Sequence, residues 1–233
     1  MNANSCSEVY NSKMESRFWK MIKLRILGRV RKLKNSQRDS GEFLNRLRED
    51  VVVSDLFIDV GANIGLISKF ILDSTRASTF PIIALEPDPE AFFVLSEISD
   101  QRLTKVNKAA WISEGFTSLY RHKDWEINQS HTSSTLVESK SNIDNKNSVL
   151  VSTIDFANML ENSTASKITI KMDIEGAEYK VLKYLIKRQA LKKVYRLYCE
   201  FHPNSIRFGY SLHLLIGAWI LFSGNRKKIR VWL

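Results

Sequence analysis

Cysteine is nearly missing: only Cys6 and Cys199 occur among 233 residues. Two thiols so far apart in sequence can build neither a disulfide framework nor a cysteine-based metal cluster, so a reducing, intracellular (cytoplasmic) setting is the expectation. Long apolar runs are missing too. The longest, LHLLIGAWILF at 212–222, reaches about half of the ~20 residues a membrane span requires, which predicts no transmembrane helix. The opening MNANSCSEVY has no basic start, apolar stretch or small-residue cleavage site of a secretory leader. No internal repeat is present. The third glycine of a dinucleotide-binding GxGxxG is lacking, and so is the GK[ST] ending of a phosphate-binding loop, which disfavours a phosphate-bearing ligand.

What the chain does carry is positive charge, unevenly placed. The net charge is +10; residues 13–38 hold ten Lys or Arg against the single acid Glu15, the last eight residues add +4, and residues 39–225 come to −2. Basic ends on a nearly neutral body argue against a nucleic-acid-binding face. Within 13–38, Trp19, Ile22, Ile26, Val30 and Leu33 fall on one helical stripe, which predicts a basic amphipathic helix. Such a helix either lies peripherally on an anionic membrane or packs on its own domain, and both readings stand. The chain divides into an N-terminal basic extension, 1–50, and one domain, 51–233.

From residue 51 short β-rich runs alternate with helical stretches, the pattern of a doubly wound, mostly parallel α/β sheet. Strands are predicted at 56–60, 81–86, 104–107, 168–173, 194–200 and 227–232, with helices at 64–73, 88–98, 176–188 and 211–222. Strand-like FTSLYRH and SVLVST flank a polar stretch rich in Ser, Asn and Thr, expected to be a mobile loop that contributes to acceptor recognition. His122 and His131, in that insertion, have no evident partner.

Asp59 ends the first strand, and Gly61 and Gly65 bracket the turn that follows. In such a sheet ligands bind outside the carboxyl ends of the strands, where glycine permits close approach. Glu86, ending the second strand 27 residues on, can accept from ribose hydroxyls or simply favour a helix N-terminus. Asp173 ends a strand adjacent to the first, followed by Glu175 in a turn and Glu178, the last read mainly as a helix N-terminal charge. Glu200 and His202 end the next strand. His202 is either a general base or a structural turn residue.

The segments FIDVGANIG, ALEPDP, VNKAAW, STIDF, IKMDIEGAEYKVL and LYCEFH, over roughly 51–202, resemble the FkbM-like family of S-adenosylmethionine-dependent methyltransferases. The resemblance implies a seven-stranded Rossmann-like class I sheet and O-methyl transfer onto a hydroxyl of a carbohydrate or secondary-metabolite-like acceptor. An RNA or protein methyltransferase, or a non-enzymatic membrane-surface protein with a vestigial cofactor site, are the alternatives. It places the cofactor against Asp59, Gly61, Ala62, Asn63, Gly65, Glu86, Pro87, Asn107, Ala109 and Asp173, with Asn107 and Ala109 beside the adenine. Asp173, Glu175 and His202 are the catalytic candidates, and Asp173, Glu175 and Glu200 a candidate set for a divalent cation. Only 33 residues follow Glu200, so the sheet is expected either to be shortened to six strands or to be closed by a partner or the N-terminal helix.

Overall fold

The computed structural model describes residues 37–76, 79–123, 134–141, 143–206 and 209–232. Most of the expected basic helix at 13–38 lies outside these. Residues 46–233 form one compact unit, and apart from the first part of the helix Gln37–Val52 everything below concerns it.

Helix α1 (Gln37–Val52) leads into β1 (Leu56–Val60), α2 (Leu66–Ser74), β2 (Ile82–Leu85), α3 (Pro89–Ser96) and β3 (Leu103–Val106). Three strands of a second sheet follow: β4 (Ala109–Trp111), β5 (Gly115–His122) and β6 (Ile143–Asp155). The chain then returns through α4 (Phe156–Glu161), β7 (Ile168–Met172), α5 (Glu178–Lys187), β8 (Val194–Glu200), α6 (Gly209–Phe222) and β9 (Ile229–Trp232). The main sheet is six-stranded, ordered β3-β2-β1-β7-β8-β9, and every pairing in it is parallel. Among the described residues the sheet thus has six strands, the shortened form and one of the expected alternatives. Residue 227, expected to open the last strand, instead closes a 3₁₀ turn over Asn225–Lys227, and the strand begins at Ile229.

β1 and β7 are buried along their whole length, as strands covered by helices on both faces must be. Ile58, Ile168 and Ile170 are almost fully buried in one cluster with α5 residues Val181, Leu182 and Leu185 and α4 residues Phe156 and Leu160, and Phe57 and Ile82 are buried as well. Each such side chain contributes roughly 1.5–3 kcal/mol relative to leaving it in water. The chain order reverses between β1 and β7: from β1 it winds outward to β2 and β3, then resumes on the other side at β7. A crevice opens at the carboxyl ends of strands around such a reversal.

The polar stretch after β5 is not the free loop expected. Thr135 and Lys140 are buried and bridge to Tyr120 and Ile206, and β6 begins at Ile143, inside the polar run. Hydrogen bonds and an ion pair order this segment where apolar burial cannot. Among the described residues no helix is long and apolar enough to cross a membrane.

Candidate active site

The turn 61–65 is built by backbone needs. Gly61 (φ 73°) and Gly65 (φ 83°) occupy the left-handed region, and Asn63 (φ 54°) joins them, a conformation asparagine tolerates better than most residues. A Cβ at 61 would collide with the carbonyl of Asp173, and one at 65 with Leu95 and Ile98. The glycines therefore let β1 and β7 close against each other and α2 pack on the end of α3.

All five amides of the turn already have acceptors. Gly61 and Ala62 donate to Leu85 O (3.0 Å each), Gly65 to Ala62 O (2.9 Å), Asn63 to Glu86 Oε2 (2.7 Å) and Ile64 to Asn63 Oδ1 (2.9 Å). A phosphate cradle needs free amides. This turn offers none, in line with its glycine spacing, and Ala62 is a buried structural element of it.

Glu86 is buried at the tip of β2. Its Oε1 accepts from Asp88 N (2.8 Å) and its Oε2 from Asn63 N (2.7 Å). Burial pushes its pKa up to about 7 against the pull of those two hydrogen bonds. Each carboxylate oxygen can accept a second bond, so a diol remains a suitable partner. Asn107 Nδ2 donates to Glu86 O (2.8 Å) and Pro87 O (3.2 Å), tying β3 to this tip. Ala109, expected beside an adenine, is instead buried in the second sheet with Leu119 and Val151, because β4 turns away from the main sheet to pair with β6.

Asp59 is fully buried. Its Oδ2 accepts from Ser68 Oγ (2.8 Å) and its Oδ1 lies 3.4 Å from Lys171 Nζ. Lys171 projects from β7, donates to Gly61 O (2.9 Å) and stands 3.8 Å from Asp173 Oδ2. Burial works against its charge, but Asp59 and then Asp173 outweigh burial and raise its pKa, so it stays an ammonium. Sequence reasoning missed this lysine. Its signal was a single cation inside a strand otherwise apolar on both faces.

Around the ends of β7 and β8 four acids meet one imidazole. His202 Nδ1 is 2.9 Å from Glu178 Oε1, which also accepts from the His202 amide (3.1 Å). His202 Nε2 lies 3.4 Å from Glu175, 3.7 Å from Glu200 and 3.9 Å from Asp173 Oδ1. Burial disfavours the imidazolium, yet the Glu178 hydrogen bond and the charges of Glu175, Glu178 and Asp173 overcome it and lift the pKa to about 9. Glu178 is therefore not a solvated helix charge: it is fully buried, with Oε2 accepting from Gly176 N (2.7 Å), and it orients His202. Glu200 is raised to about 7 by burial and then by Asp173.

Glu175 holds φ 57°, a strained setting for a non-glycine residue of a kind that gathers at functional sites. Its Oε2 accepts from Lys140 Nζ at 2.6 Å, and the lysine side chain is wholly buried. Lys140 was also missed, since nothing local in its polar segment marks it. Asp173 Oδ1 is buried with no hydrogen-bond partner among the described residues. That atom is an acceptor awaiting a donor.

The expected cation set of Asp173, Glu175 and Glu200 is not what the fold gathers: Asp173, Glu175 and His202 present atoms within 4.8 Å of one another. Two ammonium groups already stand at Glu175 and Asp173, and His202 is itself cationic near neutrality. We assign no metal to this cluster.

The family described as the methyltransferase FkbM domain matches residues 59–227. Among solved structures, a methyltransferase FkbM from Methylobacillus flagellatus KT aligns at 17% identity and TM-score 0.38, over 58% of this chain and 30% of that one. The plantazolicin methyltransferase BpumL, solved with SAH, aligns at 8% identity and TM-score 0.36, over 85% of this chain and 66% of that one. The chain thus spans less than a third of the first structure's length and about two thirds of the second's. No curated protein matches. With well over half of its residues matched by one family, from the acid ending β1 to the turn before β9, the chain belongs to the FkbM methyltransferase domain family.

Proposed function

We propose that the protein transfers a methyl group from S-adenosylmethionine to a hydroxyl of a small-molecule or glycan acceptor, of carbohydrate or secondary-metabolite type. The observation that carries this reading is a crevice edge lined with carboxylate acceptors, beside a glycine turn whose amides are all engaged. Glu86, Asp173, Glu175 and Glu200 end neighbouring parallel strands or the turns after them, while the amides of the glycine turn are spent. Such an edge suits a ligand bearing a sulfonium, an ammonium and a ribose diol, and repels a dinucleotide's phosphates. Glu86 would take the ribose, and Asp173, through its unpartnered Oδ1, a donor on the cofactor or the acceptor. Bound there, S-adenosylmethionine supplies a methyl already activated by its sulfonium.

The work left to the chain is to orient the acceptor hydroxyl and remove its proton. His202 is built for that proton. Glu178 holds Nδ1, so Nε2 faces the cluster of Asp173, Glu175 and Glu200. With a pKa of about 9 the imidazole is charged at rest, and it becomes a base as pH rises or as further positive charge enters the cluster. Lys171 and Lys140 keep the acids apart in charge and fixed in place.

The test is incubation with methyl-labelled S-adenosylmethionine and a panel of hydroxyl acceptors. Label should appear in a product that survives mild alkali, as an ether does and a methyl ester does not. Label confined to alkali-labile product, or to added RNA, contradicts the proposal.

A further inference from the structure

Helix α6 leaves most of its surface uncovered, although it is apolar almost all round. Gly209 and Ile216 are buried, and His213 between them packs edge-on against Phe201 (ring centroids 5.0 Å apart). On the other side Leu212, Leu214, Leu215, Trp219, Leu221 and Phe222 are exposed, Leu214 by 76% and Phe222 by 92%. A run of large apolar side chains facing outward on one helix is a docking surface, since isolated domains seldom tolerate one.

Charge says what docks. Residues 179–233 contain twelve Lys or Arg and one acid, Glu200, a net +11 in a chain whose total is +10. Several of these cations flank the apolar helix. Lys183 of α5 lies over the Trp219 ring, 5.6 Å from its centroid, and Lys180 and Lys187 share the exposed side of α5. Arg226 and Lys227 are exposed in the 3₁₀ turn just beyond the end of α6. A second copy of the chain would bring like charges together across the same patch, which opposes association. An anionic bilayer answers both features. Acyl chains take the leucines and Phe222, Trp219 sits at interface depth, and anionic headgroups meet the lysines and arginines. At 14 residues the helix is about 21 Å long, too short for a hydrocarbon core of ~30 Å, so it lies in the interface and does not cross.

We propose that the α5–α6 face docks the protein on the surface of an anionic phospholipid bilayer. His202 stands seven residues before the first residue of α6 in the chain. The proposal does not depend on the methyl-transfer reading.

The test is flotation of the full chain with phosphatidylcholine vesicles, with and without about 30% phosphatidylserine. Wild type should float with the anionic vesicles at least ~10-fold better than with neutral ones, and less well in about 0.5 M salt. Leu214→Glu combined with Leu215→Glu should cut binding ~10-fold, and Lys183→Gln with Lys187→Gln should weaken it only on anionic vesicles. These positions are exposed, so the melting temperature should hold. No flotation with anionic vesicles overturns the proposal. So does binding that ignores the α6 substitutions, which would place it elsewhere in the chain. A wild-type dimer turned monomeric by L214E/L215E, or RNA binding in place of vesicle binding, overturns it as well.

Discussion

Raising the pH should strip His202 of the proton that Glu178 helps it keep, and the size of the effect follows from the geometry. The imidazole's ordinary pKa of 6.5 becomes about 9 in the fold, opposed by burial and driven by the Glu178 hydrogen bond and the nearby carboxylates. Raising the pKa from 6.5 to about 9 corresponds to at most about 3–4 kcal/mol, which solvent access to the ring reduces to roughly 1–2 kcal/mol. The folded pKa is the higher one, so this stabilisation is fully present below pH 6.5 and is lost as pH climbs through 9. Proton NMR of the imidazole ring can follow it, with His202→Gln assigning the resonance among four histidines. Denaturant melts at pH 6 and pH 9.5 should differ by the same ~1–2 kcal/mol, an amount that His202→Gln removes. In Glu178→Gln the amide can still hold Gly176 N but brings no charge, so His202 should titrate well below 9. If His202 titrates at or below 6.5 in the wild type, or if E178Q leaves its pKa unmoved, the pairing is wrong. Activity carries the same signature: with about 1% of the base free at pH 7, kcat/KM should rise close to tenfold per unit until pH ~9.

Four more outcomes are expected. Asp173→Asn should lower kcat/KM by at least ~100-fold with little change in melting temperature; near-normal turnover would remove Asp173 from the site. Lys171→Met should cost about 3–5 kcal/mol in chemical denaturation, since it leaves Asp59 buried without its counter-charge, and adding Asp59→Asn should restore part of it. Gly61→Ala should destabilise by at least about 2 kcal/mol, because the new methyl meets the Asp173 carbonyl at a positive φ; a neutral effect would refute the close approach. Prolonged chelation should leave methyl transfer intact, whereas loss restored by a divalent ion would reinstate a metal at Asp173, Glu175 and His202.

The parallel strands were readable because helix-covered strands appear as mostly apolar, β-rich runs, LFIDV and ITIKM among them. The acids at their tips were readable because strand ends in this architecture meet at one crevice. What local pattern could not show is who pairs with whom. Lys171 reaches Gly61 across 110 residues and Lys140 reaches Glu175 across 35; the apolar strand around Lys171 marks it as buried but not its partner, and nothing local marks Lys140. The polar stretch before β6 looked like a loop because strand alternation is lost in it, yet a buried ion pair orders it. The glycines fall in the turn expected of them, and they also admit the neighbouring backbone of Asp173 and the side chains of Leu95 and Ile98.

Isothermal titration with S-adenosylhomocysteine addresses the central idea most directly, since it needs no knowledge of the acceptor. Saturable one-to-one binding is expected, weakened at least ~10-fold by Glu86→Ala and by Asp173→Ala. No saturable heat, or an affinity indifferent to both substitutions, would mean that the acids ending β2 and β7 do not form an adenosyl-binding crevice.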